Sequence, residues 1–105
     1  MAGPALTKHP AEILPVGVDF SRLLAVEDDQ VVVLAGSTCI EANLTNPEAV
    51  ASLIVPGSLV VSADGTTLIV KLSGGVHEQQ HKLTFRAATS SGNLFEEDRI
   101  ITVRD

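Results

Sequence analysis

The sequence contains no tryptophan and no tyrosine, and three phenylalanines are its only aromatic residues. A core built from this chain therefore consists mainly of Val, Leu, Ile and Ala side chains. It lacks the buried Trp that is typical of antibody domains. A chain without Trp and Tyr also lacks amphipathic rings suited to stacking on sugars. The composition thus argues against a glycan-binding platform.

Cysteine is nearly absent as well, because Cys39 is the single one and an internal disulfide framework is excluded. No His or Lys lies beside Cys39 in the sequence, so we predict a small buried apolar side chain rather than a nucleophile. The first ten residues contain no apolar signal segment, and no apolar run approaches the ~20 residues that span a bilayer. We therefore expect no membrane partner and synthesis in the cytoplasm of the producing cell.

Positive charge is scarce, with 7 basic against 13 acidic residues and a formal net charge of -6. Phosphate contacts need clustered Lys and Arg, so we expect no nucleic-acid partner. An acidic balance keeps a small domain soluble, and it also suits binding to a basic protein surface. The length of 105 residues fits one domain.

What the sequence does contain is a run of three short strands, separated by glycine turns, in residues 66–105. Alternation of apolar and polar residues within each strand is typical of a half-buried antiparallel sheet. Asp64-Gly65, just before the run, is typical of a tight type I′ hairpin. These features predict an all-β fold, an antiparallel sandwich of about six or seven strands. The expected core residues of this region are Leu68, Val70, Leu72, Leu83, Phe85, Ile101 and Val103.

Residues 1–12 are predicted to form an extended N-terminal arm, separate from a domain at residues 13–105. Pro4 and Pro10 favour extended backbone around them, and such an arm is either disordered or laid across a neighbour. The expected assembly residues in and next to the arm are Leu6, Lys8, Pro10, Ile13 and Leu14.

The first strand of the domain, residues 13–20, contains Pro15, which confines it to a sheet edge because proline cannot donate to the ladder. The strand leads into a structural corner, Asp19-Phe20-Ser21. There we expect the Asp19 carboxylate to accept N–H bonds from the following turn, which is predicted to be helical over residues 21–25.

The middle of the chain is a long apolar stretch, residues 31–44, which Gly36 interrupts. A glycine inside a strand pattern indicates a bulge. After it, Ile40 and the other even-numbered residues are expected to face the core. Asn46-Pro47 predicts a second helical turn, over residues 49–54.

None of the candidate reactive groups forms a recognisable catalytic or metal site. His77 and His81 are four residues apart, but extended chain of that length spans roughly 13 Å, so we expect surface histidines and no metal ion. Adjacent carboxylates at residues 96–98 lie beside no predicted cleft and are expected to be solvated. Ser73-Gly74-Gly75 is not followed by the Lys-Ser/Thr of a phosphate loop. We predict no catalytic residue and no cofactor.

Two groups of short motifs stand near the two ends of the chain. The first is residues 8–14, KHPAEIL, followed by residues 18–24, VDFSRLL. The second comprises Leu72-Ser73-Gly74-Gly75, Thr84, Thr89, Ser91-Gly92 and Ile101-Thr102-Val103. Together they resemble the opening and closing patterns of small tailed-bacteriophage proteins, the fibre–tail adaptor family. The sequence departs from that pattern at Glu78 and His81, where members often carry Gly and Tyr, and near Cys39, where they often carry Trp.

The resemblance implies an immunoglobulin-like β-sandwich in a ring of identical copies, built into the virion near the neck or tail. The implied partners are tail, connector or portal-complex proteins and tail fibre proteins, with synthesis in the bacterial host cytoplasm. Ser73-Gly74-Gly75 and Ser91-Gly92-Asn93 are then the expected loops that contact neighbours. An alternative function is an Ig-like module that decorates a capsid or tail and binds host-surface glycans. The missing aromatic rings favour the adaptor.

Overall fold

Seven β-strands and one short helix are found in residues 2–26, 31–48 and 52–105, the part of the chain that the computed structural model describes. The predicted helical turn after the first corner is confirmed as α1. In chain order the elements are β1 (Ala2–Lys8), β2 (Ile13–Asp19), α1 (Ser21–Val26), β3 (Val32–Asn43), β4 (Val60–Val61), β5 (Thr67–Ser73), β6 (Gln80–Thr89) and β7 (Leu94–Val103).

The strands form two sheets that pack face to face. The four-stranded sheet has the order β1-β7-β6-β3, and the three-stranded sheet has the order β2-β5-β4. Neighbouring strands are antiparallel, except that β1 runs parallel to β7. The predicted all-β sandwich is confirmed.

One layer of mainly aliphatic side chains between the sheets forms the core. The seven core residues expected from the last third of the sequence are each 1 % exposed or less, because the two-residue period places all of them on inner faces. Phe20 and Phe85 are the aromatic members of this layer, at 1 % and 0 % exposure. The other members are Val16, Val18, Leu24, Val32, Leu53 and Ala87.

Strand β1, which the sequence analysis separates from the domain as an arm, is extended and pairs with β7 of the same chain. Leu6 lies beside Ile101 and Lys8 beside Val103 in the parallel register, and the Arg104 N–H donates to the Lys8 carbonyl at 2.8 Å. Without β1, one side of β7 would be a row of unpaired N–H and C=O groups. The arm therefore acts as an edge strand of the four-stranded sheet.

Strand β3 contains the predicted bulge, but the face expected after it is wrong. The register with β6 shifts between Val33 and Thr38, and Gly36 has a φ of 86°. Beyond the shift, Cys39 pairs with Phe85, so the odd-numbered residues point inward. Ile40, which was expected in the core, is 55 % exposed. A one-residue change of phase reverses every side chain that follows.

Strand β2 is an edge strand, as Pro15 predicts. Pro15 lies opposite Lys71 of β5. The Lys71 N–H donates to Ser58 Oγ and its carbonyl accepts the Val55 N–H, so the polar backbone groups of Lys71 point away from β2. Pro15 is thus a non-hydrogen-bonded partner of Lys71, and its missing N–H falls on the open edge of the sheet.

The turn between β4 and β5 is longer than the predicted type I′ hairpin. Gly65 has a φ of 75°, whereas Asp64 is not among the described residues with positive φ, and a type I′ turn needs two. Asp64 Oδ1 accepts the Ser62 and Thr66 hydroxyls, and these bonds lower the pKa of Asp64. The first half of the second predicted helical turn, residues 49–51, lies outside the described residues. Its last three residues are described and are not helical: Leu53 is buried in the core and Ile54 forms an isolated β-bridge with Leu72.

We expect Phe85→Ala to lower the free energy of unfolding by about 3–5 kcal/mol, because it leaves a cavity between the sheets. Arg86→Ala, on the outer face of the same strand, is the matched control. Both partners of the Arg86–Glu96 ion pair are about half exposed, so its loss should cost at most about 1 kcal/mol. Chemical denaturation measures both values. Wild-type stability in Phe85→Ala would contradict the inner position of this ring.

Candidate assembly surfaces and buried polar contacts

The molecule is elongated, 42 × 24 × 21 Å, and the two predicted contact loops lie at opposite ends of it. Strand β6 has one loop at each end, since Gly74 and Gly75 precede it and Ser91-Gly92-Asn93 follow it. We call the two ends of the molecule the Lys8 end and the helix end. The Lys8 end comprises residues 9–12, 74–79 and 104–105, and the helix end comprises α1, residues 62–66 and residues 90–93.

The Lys8 end is held by a buried ammonium group. Lys8 is 1 % exposed, and its Nζ donates to the Gly74 and His9 carbonyls, both at 2.7 Å. Glu12 closes the adjoining turn, because its carboxylate accepts the His9 N–H at 2.6 Å. Burial lowers the pKa of Lys8, and the nearby Glu12 charge opposes that shift. Lys8 thus joins β1 to the loop after β5.

Two contacts hold the Gly74-Gly75 turn in place: the Lys8 hydrogen bond to the Gly74 carbonyl and the close packing of Gly75. Gly75 has a φ of 114°, and a Cβ there would lie 2.8 Å from Val103 Cγ2 and 3.1 Å from Leu53 Cδ2. Only glycine fits this backbone against the last strand. Of the predicted contact residues Ser73, Gly74 and Gly75, the first is half-buried and the other two are exposed.

The hairpin at the helix end is the more exposed of the two predicted contact loops. Ser91, Gly92 and Asn93 are all exposed. Thr89 orders the hairpin, since its carbonyl accepts the Gly92 N–H at 3.0 Å and its hydroxyl accepts the Asn93 N–H at 2.9 Å. The hairpin therefore presents a defined backbone to the surroundings.

The predicted structural corner lies at the helix end too. Asp19 Oδ1 accepts the Ser21 N–H at 2.8 Å, and the Phe20 ring is buried beneath it. An open recess of about 640 Å³ lies between α1 and the start of β7. It is lined by Asp19, Arg22, Leu23, Ala25, Glu96 and Glu97.

The five predicted assembly residues do not form one surface. Lys8 is buried within its own chain, and Pro10 is half-buried in the turn after β1. Leu14 is half-buried and packs against the core. Ile13 and Leu6 remain accessible, at 66 % and 39 % exposure.

Ile13 belongs to an apolar outer face of the three-stranded sheet. Alternation places Ile13 and Pro15 of β2 on the side that faces away from the core, together with Ile69 of β5 and Val60 of β4. Val60 is 47 % exposed. Pro15, Val60 and Ile69 line a shallow groove of about 420 Å³, and the exposed Lys71, opposite Pro15, is the charged residue in its lining. This face offers apolar contact area next to the open edge of β2.

Glu41 and His81 form a buried polar pair that the sequence patterns did not indicate, and the predicted surface position of His81 is wrong. His81 is 2 % exposed, and its Nδ1 lies 2.6 Å from Glu41 Oε2. The Glu41 carboxylate also accepts the Ser52 hydroxyl and the Leu53 and Ile54 N–H groups. It therefore ties β3 to β6 and to the segment before β4.

A signal for this position is present in the sequence. His81, Leu83, Phe85 and Ala87 follow the two-residue period of β6, and all four are buried. Counting the period back from Phe85 would have placed His81 on the inner face. A buried imidazole then needs a polar partner, which Glu41 provides from another strand.

The described residues carry little that could do covalent or metal chemistry. Burial raises the pKa of the Cys39 thiol to about 12, and the Glu41 charge adds to the shift, so the thiol is a poor nucleophile. In residues 2–26, 31–48 and 52–105, no three His, Cys, Asp or Glu side chains are grouped to hold a metal ion.

The one helix among the described residues, α1, has six residues, and it is too short to cross a membrane.

A family model described as podophage GP4 fiber-tail adaptor protein gp77 matches residues 8–104. The match extends from Lys8 to Arg104, the two residues that a backbone hydrogen bond joins at the Lys8 end. A search of individually curated proteins found no match.

We expect Lys8→Met to lower the free energy of unfolding by about 1–2 kcal/mol, since two carbonyls lose a charged donor while the apolar stem is kept. Lys71→Met, at an exposed position on β5, is the control for adding a methionine and removing a charge. Denaturant titration of the two variants compares them. A Lys8→Met protein as stable as the wild type would show that the cost of burying the ammonium cancels its hydrogen bonds.

The raised pKa of Cys39 makes stability depend on pH in a defined direction. In the unfolded chain the thiol ionises near its ordinary pKa of 9.0, whereas in the folded chain it stays protonated to about 12. Between these values the folded state binds more protons, so stability falls as pH rises. We expect wild type to lose more stability between pH 8 and about 10.5 than Cys39→Ala does. Parallel pH dependences would contradict the burial of this thiol.

Proposed function

The chain belongs to the podophage fibre–tail adaptor family, and on this premise we propose that it is a non-enzymatic structural protein of the virion, placed at the neck or tail. In this position it attaches tail fibre proteins to the tail or to the head–tail connector. The observation that carries the proposal is the family match over residues 8–104. The protein is made in the cytoplasm of the bacterial host and then joins the particle.

Copies of the chain form a ring. An adaptor that surrounds a tail meets its neighbours through two different surfaces, and such head-to-tail contacts close into a ring when the rotation fits. Two open strand edges on the three-stranded sheet, β2 and β4, and two on the four-stranded sheet, β1 and β3, support this proposal. An edge of this kind can accept a strand from a neighbouring chain.

The sandwich is of the immunoglobulin-like kind. In that fold, strands C, F and G form one sheet and strands B, E and D belong to the other. The strand order supports this classification, since β3-β6-β7 and β2-β5-β4 follow the same two sequences of neighbours. In that fold strand A joins the sheet of strands B, E and D, whereas here the first strand, β1, pairs with β7 of the other sheet.

The outer face of the three-stranded sheet is the surface that meets the connector or the neighbouring copy. Ile13 supports this assignment, because a side chain exposed by 66 % gains more from being covered than any half-buried neighbour. The hairpin Ser91-Gly92-Asn93 at the helix end is the surface offered to the fibre. Its exposed, ordered backbone and its distance from Ile13 along the long axis support two separate contacts.

We expect Ile13→Glu to leave the isolated domain folded but to reduce its incorporation into particles at least about ten-fold, because a charge is then desolvated in the contact. Ile40→Glu is the matched control, since Ile40 is 55 % exposed on the other sheet. Particles produced with either variant are purified and the adaptor band is quantified. Thermal melting of both isolated variants checks that they are folded.

Two outcomes would count against this assignment. If both variants enter particles normally, the outer face of the three-stranded sheet is not a contact. If Ile40→Glu is excluded and Ile13→Glu is not, the contact lies on the four-stranded sheet.

A further inference from the structure

The two sheets differ by one strand, and the surplus strand is β1. Strand β3 lies against β4 and β5 of the other sheet, and Asp19 of β2 shares a recess with Glu96 and Glu97 of β7. The strands β4-β5-β2 therefore lie opposite β3-β6-β7, in that order. Among the described strands none lies opposite β1. We call the place next to β2, opposite β1, the open strand position.

The floor of the open strand position is formed by Leu6. In the parallel register Leu6 lies beside Ile101 and Lys8 beside Val103. Because Ile101 and Val103 are core residues, the Leu6 side chain also points inward, yet it is 39 % exposed. A strand next to β2 would cover this side chain, and removing apolar surface from water is favourable.

The free edge of β2 supplies the backbone groups that an added strand needs. The backbone groups of Pro15 point to this edge, and the alternation of an antiparallel pair gives Ile13 and Gly17 the same orientation. Ser73, opposite Ile13, donates its N–H away from β2, as this orientation requires. The edge thus offers the N–H groups of Ile13 and Gly17 and the carbonyls of Ile13, Pro15 and Gly17.

Among the described edge strands, β2 combines several residues with an unbroken register. It pairs with β5 along all seven of its residues. By contrast, β4 has two residues, β3 has a register shift after Val33, and β1 has one after Ala2. Natural sheets interrupt or cover their edges to prevent unwanted pairing. A regular edge beside an uncovered apolar side chain therefore indicates an acceptor for a further strand.

The added strand does not come from a second copy of this chain. Two β2 edges paired about Pro15 would both lack an N–H there, whereas any other strand loses a single bond. The ends of the β2 edge are acidic, because the exposed Glu12 precedes it and the exposed Asp19 ends it. Strands β3 and β4 contain no Lys or Arg, and Lys8 of β1 is buried. Charge complementarity thus favours a different protein.

We propose that the open strand position binds an extended segment of the connector protein, apolar in its centre and basic at both ends, which pairs with β2 and covers Leu6. The proposal deepens the proposed function and rests on it for the nature of the partner. The connector is the partner because the position continues the outer face of the three-stranded sheet. Binding is measured on the isolated chain, so it can fail while the proposed function stands.

The test is a titration of the full-length, ¹⁵N-labelled protein with the end-blocked heptapeptide Lys-Val-Thr-Val-Thr-Val-Lys, followed by backbone amide NMR. We expect saturable shifts of the Ile13 and Gly17 amide signals, with an affinity in the millimolar range. Hydrogen exchange of both amides should slow at least about ten-fold at saturation.

Two control peptides separate backbone pairing from charge. The same peptide N-methylated at every central residue cannot donate to the β2 carbonyls, and it should cause no saturable shift. The peptide with Glu in place of both Lys residues should bind at least about three-fold more weakly, because Glu12 and Asp19 then repel its ends.

Two pairs of variants locate the binding site. Leu6→Lys places a charge on the floor and should weaken binding of the heptapeptide at least about ten-fold. Leu34→Lys, at a position on β3 that is 51 % exposed, should change it less than about two-fold. Ile13→Pro removes an edge N–H at the first residue of β2, where proline is tolerated, and should bind about three- to ten-fold more weakly than Ile13→Ala. Thermal melting checks that each variant is folded.

Three results would overturn the proposal. The first is the absence of a saturable shift at Ile13 and Gly17 up to the solubility limit of the heptapeptide. The second is equal binding of the N-methylated peptide, or equal affinities of Ile13→Pro and Ile13→Ala, because either would mean that the backbone of β2 is not paired. The third is a shift of the same amides with protein concentration alone, which would make a second copy the occupant.

Discussion

The thin layer of aliphatic side chains between the two sheets is the constraint on which the rest of this structure depends. With three phenylalanines and no larger ring in the chain, the layer is filled by branched side chains that must interdigitate closely. The three-stranded sheet is one strand narrower than its partner. The inward side of β1 is consequently not fully covered, and Leu6 there remains 39 % exposed.

Where the apolar layer ends, polar side chains hold the chain together. Loops at the end of a sandwich have backbone groups that no strand can pair, and at the Lys8 end these groups meet two charged side chains. Lys8 donates to two carbonyls, and Glu41 accepts from two N–H groups and from the His81 ring. Charge-assisted bonds of this kind are short and directional. They fix the loops and hold the His81 ring in a buried position.

An adaptor of a phage virion needs surfaces more than reactive groups, and the described residues are arranged accordingly. The one thiol is half-buried with a raised pKa, and the histidines His77 and His81 serve separate contacts, with Asp105 and Glu41. Accessible features lie apart from one another: an apolar outer face on one sheet, an ordered hairpin at the helix end and a polar recess lined by Asn43 and Gln79 at the Lys8 end. Such a distribution allows one small domain to contact several partners at once.

The amino-acid sequence by itself determined the strands of the last third, the seven core residues found there and the edge position of Pro15, because these follow from a local two-residue period and from a missing N–H. It could not determine the phase of β3 after Gly36, since the length of a bulge depends on the partner strand. Nor could it pair Lys8 with Gly74, 66 residues away, or His81 with Glu41, 40 residues away. Those contacts exist only once the two sheets are stacked, because burial is what makes a polar side chain require a distant partner.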